Sequence, residues 1–445
     1  MAAQRRCVIG VDLGTSATRA GVFDLDGRLL AESSRPVPIV YPAPGQAEQD
    51  MDDFLTTAAQ AVSESLGASG VDPTGVAAIA FDSQMAGVGA IDDRYRPIMR
   101  FDSWLDMRCE PYIKWLDRSV GETMVRLTGC APTCDHAPKM LWWKHEQPDA
   151  YARVARFIMP SAYVAGRLAG LRAEDAYIDY TFLHFTGLAD VQGAQWSGEL
   201  LAAIGLDGEK LPRIVEPYAV VGEAIPEMAR RFGLAPGTLV AAGCGDTAAC
   251  ALGAGIVHPG MLYDTAGTAS VLAACTDRFS PDVVNRALLM MRSVISGIWH
   301  PLAYIAGGGE ALRWFRDHFF NAWRGQPMSS EEDLYDRLAE LAGAVPPGSE
   351  GLFFSPHLGG IIRSLVPGLT FSEARVVGGG ARSSLWNEIK AAVLGVPYRR
   401  LKRDELGIWG SALVAAKAAA LIDDLAAAAY ELSWPEETLI EPREA

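Results

Sequence analysis

At 445 residues the chain is too long for one hydrophobic core, so two domains are expected. Hydrophobic residues at 49% and charged residues at 21% describe a folded protein; no apolar run approaches a membrane span and 1-MAAQRRCVIGVDLG-14 has too short an apolar core for a signal peptide, so a cytoplasmic protein is expected. A formal charge of -15 argues against nucleic-acid and anionic-membrane partners, yet leaves room for a phosphorylated ligand held by backbone N–H groups.

In chain order, CVIGVDLG reads as a buried strand, and TSATRAGVFDLDGRLLAESS as two strands around an Asp-Gly turn. Residues 52–66 are helical in pattern, 75-GVAAIAFDSQM-85 is strand-like, and 102-DSWLDMRCEPYIKWL-116 passes from loop to helix. The alternation indicates an α/β protein. The seven cysteines (Cys7, Cys109, Cys130, Cys134, Cys244, Cys250 and Cys275) include one close pair in sequence, Cys130 and Cys134. Nothing completes a zinc site around them, so reduced thiols, mostly in the core, are expected.

Asp12-Leu-Gly-Thr-Ser near the start is echoed by 264-DTAGTAS-270, again between strand-like runs. The echo suggests two similarly built domains with a hinge between Gly243 and Gly260, although an echo this short also arises by chance. The turns 14-GTS-16 and 267-GT-268 can point successive N–H groups at a phosphate, and they are equally ordinary hairpin turns. Asp12, at the end of an apolar strand, suits a Mg²⁺ ion held through water. In 241-AAGCGDTAACALGAG-255, Asp246 is either a helix N-cap or a carboxylate kept open to substrate by small neighbours.

Two further glycine clusters, 306-AGGGEALRWF-315 and 376-VVGGGARSSLWNEI-389, have strand-to-helix character. The second would let a flat ligand lie on the backbone at a helix N-terminus. Neither the dinucleotide-binding glycine pattern with its downstream acid nor a Walker A sequence is present.

Together these segments resemble the FGGY carbohydrate kinases of the actin-like ATPase superfamily. DLGTSATR is similar to the first phosphate motif, FDSQMAG and SWLDMR to sugar-site segments, and HAPKMLWW to the Pro-Lys-hydrophobic-Trp segment. GCGDTAACALGAG resembles the catalytic motif, DTAGTAS the second phosphate motif, and VVGGGARSSLWNEI the adenosine motif.

The resemblance implies two ribonuclease-H-like domains around an active-site cleft, 1–253 on the sugar side with the catalytic Asp and 254–445 on the nucleotide side. It implies ATP and Mg²⁺ as cofactors and a small sugar as substrate. Asp246 would be the catalytic base and Asp12 the Mg²⁺-associated carboxylate. Thr15, Ser16, Gly267 and Thr268 would line the phosphate, Gly309 and Arg313 the nucleotide, and Gly379 and Gly380 the adenosine. Gln84, Met85, Trp104, Asp106 and Arg108 would line the sugar. Each also has a plainer reading: Gln84 a satisfied buried amide, Trp104 a core residue, Asp106 and Arg108 a surface pair.

The implied reaction is ATP-dependent phosphorylation of a ketopentose such as D-xylulose. Alternatives are another ketose, an aldonate or a polyol, or an actin-like ATPase without sugar kinase activity. Ala86 stands where xylulokinases commonly carry His, and the stretch holding Tyr177, Asp179 and Tyr180 departs from the usual Asp-x-Ser-x-Ala-Ser pattern. A homodimer stays open. Finally, Ile361–Leu365 reads like the tail of a helix whose beginning is absent, so a segment is expected to be missing near Gly360–Ile361.

Overall fold

The computed structural model describes residues 7–266, 270–305, 331–346, 366 and 368–442. The 306–315 cluster and the Gly360–Ile361 junction lie outside the described residues, as do Gly267, Thr268, Gly309 and Arg313. Among the described residues no helix is long and apolar enough to cross a membrane.

The chain divides into two compact units. The first comprises residues 1–257, 279–299 and 405–432, and the second 258–278, 300–404 and 433–445. The division is therefore discontinuous in sequence, unlike the single boundary at 253/254 read from the motifs. The reason is packing: a late helix, Leu406–Ala418, lies on the strands of the first sheet and on helix Asp246–Gly253.

In the first unit, strand Cys7–Leu13 pairs antiparallel with Ala17–Asp24 and parallel with Val76–Ser83. Ala17–Asp24 pairs antiparallel with Leu29–Pro36, and Val76–Ser83 pairs parallel with Leu239–Ala241 and Cys244–Gly245. The first strand is buried almost throughout because both of its faces are covered. Ile9 and Val11 join the core cluster with Phe54, Leu55, Ala58 and Val62 of helix Met51–Ser69. That helix starts on Asp50, whose carboxylate accepts the Asp52 N–H, and stops at Gly70 in the left-handed region.

Gly10 and Asp12 point the other way, as alternation along a strand requires. A Cβ on Gly10 would lie 1.8 Å from the Ile408 carbonyl oxygen, and one on Gly410 would lie 2.0 Å from that of Ala249. Helix Leu406–Ala418 thus seats its backbone directly on the sheet and on helix Asp246–Gly253. Only glycine permits this approach.

The second unit repeats the pattern. Strand Met261–Ala266 pairs antiparallel with Ser270–Ala274 and parallel with Glu373–Val377; Ser270–Ala274 pairs antiparallel with Trp299–Ile305, and Glu373–Val377 pairs parallel with Tyr398–Leu401. Two sheets with the same sequence of antiparallel and parallel neighbours are the α/β architecture expected from the echoed motifs. The Gly243–Gly260 stretch itself carries helix Asp246–Gly253.

Candidate active site

Three parallel strands of the first unit end side by side, and each delivers a carboxylate. Asp12 is in register with Asp82, and Cys244 lies opposite Asp82, so Asp246 follows directly at the same edge. Ligands of open α/β sheets bind at the carboxyl ends of such strands. Gly245 is the N-cap of helix Asp246–Gly253, so Asp246 occupies its first position and is not the cap. Asp246 Oδ1 accepts the Thr247 N–H at 2.6 Å and its hydroxyl at 3.1 Å. Among the described residues Oδ2 has no hydrogen-bond partner. Burial, then the charge of Asp12, pushes the Asp246 carboxyl up to about 7 against the Thr247 bonds.

Asp82 is fully buried and accepts the Ser411 hydroxyl at 2.7 Å, which ties helix Leu406–Ala418 to this edge. Burial, then the charge of Asp12, holds its carboxyl well above the ordinary range. Asp12 is raised by burial too, against opposing contacts with Asp82 and Arg19. The first turn of the late helix faces it, since a Cβ on Gly407 would lie 3.7 Å from Asp12 Oδ2.

The 14–16 turn closes the hairpin through Gly14 N–H to Ala17 O at 3.1 Å, and Ser16 O accepts the Val37 N–H. Trp104 Nε1 donates to Thr15 Oγ1 at 2.9 Å, so a residue expected at the sugar touches one expected at the phosphate. Gln49 Nε2 donates to Thr15 O, Gln84 Nε2 donates to Gln49 Oε1 at 2.7 Å, and Ser103 Oγ donates to Gln84 Oε1. Gln84 is therefore a satisfied buried amide that joins the turn to the 103–108 loop. Met85 lies over Gly245, where a Cβ would meet its methyl carbon at 2.5 Å.

Asp106 and Arg108 form a buried pair rather than a surface one. Asp106 Oδ2 accepts the Ala47 N–H at 2.8 Å, and both oxygens accept from Arg108 Nε at 2.9 Å. Arg108 also donates to Glu48 Oε1 at 2.7 Å and stacks over Trp142, with its Nη1 3.8 Å from Asp102. Lys139 of the Pro-Lys segment is buried and donates to the carbonyls of Ala86 and Cys134.

In the second unit, Gly379 and Gly380 open a short 3-10 turn at the carboxyl end of strand Glu373–Val377, followed by helix Ser384–Leu394. Among the described residues nothing lies within 4 Å of where a Cβ on Gly379 would stand. Asp264 of the echoed motif is instead structural: it accepts Lys390 Nζ at 2.7 Å and Tyr398 Oη at 3.1 Å.

Tyr177, Asp179 and Tyr180 are buried, with Tyr177 Oη donating to Ala242 O and Tyr180 Oη to Val294 O. Asp179 Oδ1 accepts the Thr181 hydroxyl at 2.5 Å, and Thr181 Oγ1 accepts the Gly245 N–H at 2.8 Å. This relay, which anchors the peptide before Asp246, and the Gln49 bridge escape a sequence reading. Neither residue type carries chemistry of its own, and both act across long sequence separations.

Among the described residues no group of three or more His, Cys, Asp or Glu side chains is arranged to hold a metal. The hard oxygens of Asp12 fit Mg²⁺ in another way, because that ion is commonly bound by one or two carboxylates together with substrate phosphates.

The description "FGGY family of carbohydrate kinases, N-terminal domain" matches residues 7–253, and its C-terminal counterpart matches 366–419. The chain is 25% identical to the xylulose kinase of Bacillus subtilis, over 92% of this chain and 87% of the relative. It is 26% identical to the gluconokinase of the same organism, over 88% and 75%. The solved xylulose kinase of Lactobacillus acidophilus superposes with a TM-score of 0.86 at 20% identity, over 98% and 94%. The N-terminal match alone spans more than half of the sequence, so this protein belongs to the FGGY family of carbohydrate kinases and is a sugar phosphotransferase.

Proposed function

We propose that this kinase transfers the γ-phosphoryl group of ATP to a hydroxyl of a ketopentose such as D-xylulose, with Asp246 as general base. One observation carries the reading: Asp246 stands at the edge where Asp12 and Asp82 converge, with one oxygen held by Thr247 and the other without a partner among the described residues. A sugar hydroxyl attacking phosphorus must lose its proton as the bond forms, and the unpartnered Oδ2 accepts it. The Thr181 relay and Met85 hold the peptide before Asp246, so the carboxylate needs no reorganisation.

Asp12 would hold Mg²⁺, which when bound neutralises charge on the transferred group. Thr15 and Ser16, with Gly267 and Thr268, would position the phosphates, while Gly309, Arg313, Gly379 and Gly380 would position the nucleotide. Gln84, Met85 and Trp104 would line the sugar. Asp106 and Arg108, whose bonds are turned inward, would shape that wall from behind. The likeness to the xylulose kinase of B. subtilis supports a ketopentose, while Ala86 and the gluconokinase relative make aldonates and polyols the substrates to test against it.

A coupled ADP assay over pentuloses, hexuloses, aldonates and polyols tests the substrate. The highest kcat/KM should fall on a ketopentose, and a maximum on an aldonate or polyol would overturn that assignment. In the same assay kcat/KM should climb with a one-proton slope as pH rises through about 7, because Asp246 must lose its proton before it can act. A profile that stays flat through neutrality would count against Asp246 as base. Asp12→Ala should raise the Mg²⁺ concentration needed for half-maximal rate. An unchanged metal dependence would remove Asp12 from the site.

A further inference from the structure

Trp104 carries one polar atom, and that atom reaches the 14–16 turn. Its indole Nε1 donates to Thr15 Oγ1 at 2.9 Å, across 89 positions of sequence. Chemistry fixes the direction of this bond, because an indole N–H only donates, whereas a hydroxyl both donates and accepts. Thr15 Oγ1 is therefore the acceptor, and the indole has no lone pair with which to take the hydroxyl proton in return. Among the described residues that proton has no acceptor.

The backbone of the same threonine is held from the same loop. Ser103 Oγ donates to Gln84 Oε1 at 3.2 Å, Gln84 Nε2 to Gln49 Oε1 at 2.7 Å, and Gln49 Nε2 to the Thr15 carbonyl at 2.9 Å. Ser103, Gln84 and Gln49 are buried, so water does not compete for the bonds between them. Residues 103 and 104 thus hold Thr15 at two points, its carbonyl through the relay and its hydroxyl directly, while Gly14 N–H to Ala17 O closes the turn. With both oxygens engaged, what the side chain has left to offer is a single proton.

We propose that Trp104 is a positioning residue for the nucleotide: its N–H turns the Thr15 hydroxyl so that the remaining proton is presented to a phosphate oxygen. The inference rests on the placement of Thr15 at the phosphates proposed above, and it is independent of which sugar the kinase uses. A free threonine hydroxyl chooses among staggered rotamers, and binding then has to select one of them. Holding the oxygen beforehand removes that cost. The bond so prepared is a strong one, because its acceptor carries charge. Trp104 therefore acts with two parts of one side chain, the ring face toward the sugar and the N–H edge toward Thr15.

The test is a double-mutant cycle on the full chain, read by calorimetry as the affinity for a non-hydrolysable ATP analogue with Mg²⁺, in the absence of sugar so that the ring face plays no part. Trp104→Phe keeps an aromatic ring and removes the N–H; Trp104 is 37% exposed, so the exchange leaves the core untouched. Thr15→Val keeps the shape and removes the hydroxyl. Thr15→Val should weaken the analogue on the order of tenfold, and Trp104→Phe about threefold to fivefold, because the hydroxyl stays but is no longer aimed. In the Thr15→Val background, Trp104→Phe should cost nothing further, since the proton it aims is already gone. If Thr15→Val leaves the affinity unchanged, the placement of Thr15 at the phosphates and this inference fall together. If Thr15→Val weakens binding while Trp104→Phe does not, or if Trp104→Phe weakens it equally in both backgrounds, the inference alone is overturned.

Discussion

Asp246→Asn should lower turnover by about 10²–10⁴ while leaving sugar binding intact, because the amide keeps the shape and the Thr247 contact but cannot take up the hydroxyl proton. Turnover with the best substrate and its affinity measured by calorimetry check the two halves separately. The same variant should also change stability with pH. Burial holds the Asp246 carboxyl near 7, above its unfolded range, so the folded state binds that proton more tightly. The stabilisation is complete below the unfolded carboxylate range and is lost as pH rises through about 7. Asparagine has no charge to bury, so Asp246→Asn should melt higher than the parent at mildly alkaline pH and no higher in acid. Near-normal turnover, or a variant that melts lower at alkaline pH, would reassign Asp246 to a structural role.

Gly10→Ala and Gly410→Ala should each destabilise the first unit by on the order of 3 kcal/mol, because a methyl at either position must displace backbone rather than a yielding side chain. Thermal melting and urea midpoints measure the loss. The displaced helix carries Ser411, the partner of Asp82, and Gly407, which faces Asp12, so activity should fall at temperatures where the variant is still folded. Gly198→Ala, on a helix where a Cβ would meet nothing within 4 Å, is the control and should melt like the parent. Equal melting of all three variants would show that the helix can shift without cost.

Strand CVIGVDL, helix Met51–Ser69 and the repeated Asp-containing hairpin were legible in the sequence because each is written in local pattern: a continuous apolar run, a helical apolar period, and a glycine turn between strands. Asp12 and Asp246 stood out by their neighbours, as carboxylates among small residues, but the residues alone read Asp246 equally as a helix cap, and only the family resemblance set it apart. Three features were not. The Asp82 carboxyl, in register with Asp12, depends on strand pairing across some 70 residues, which no local period encodes. The Thr181–Gly245 and Gln49–Gln84 bonds join residues 64 and 35 apart. The inward turn of Asp106 and Arg108 follows from the Ala47 N–H and Glu48 carboxylate meeting them, a strand-edge contact invisible at spacing i,i+2.

The return of residues 405–432 to the first unit has a consequence for the order in which the protein is made. While the first 257 residues leave the ribosome, the sheet face around Gly10 and the helix Asp246–Gly253 lack the apolar helix that covers them. That surface stays open to wrong partners until about 150 further residues, including most of the second unit's strands, have been synthesised. A fragment ending at residue 257, which lacks that helix, is therefore expected not to fold to solubility. The two units cannot be parted by a single cut, because a helix made late in synthesis, Leu406–Ala418, closes the first sheet to be made.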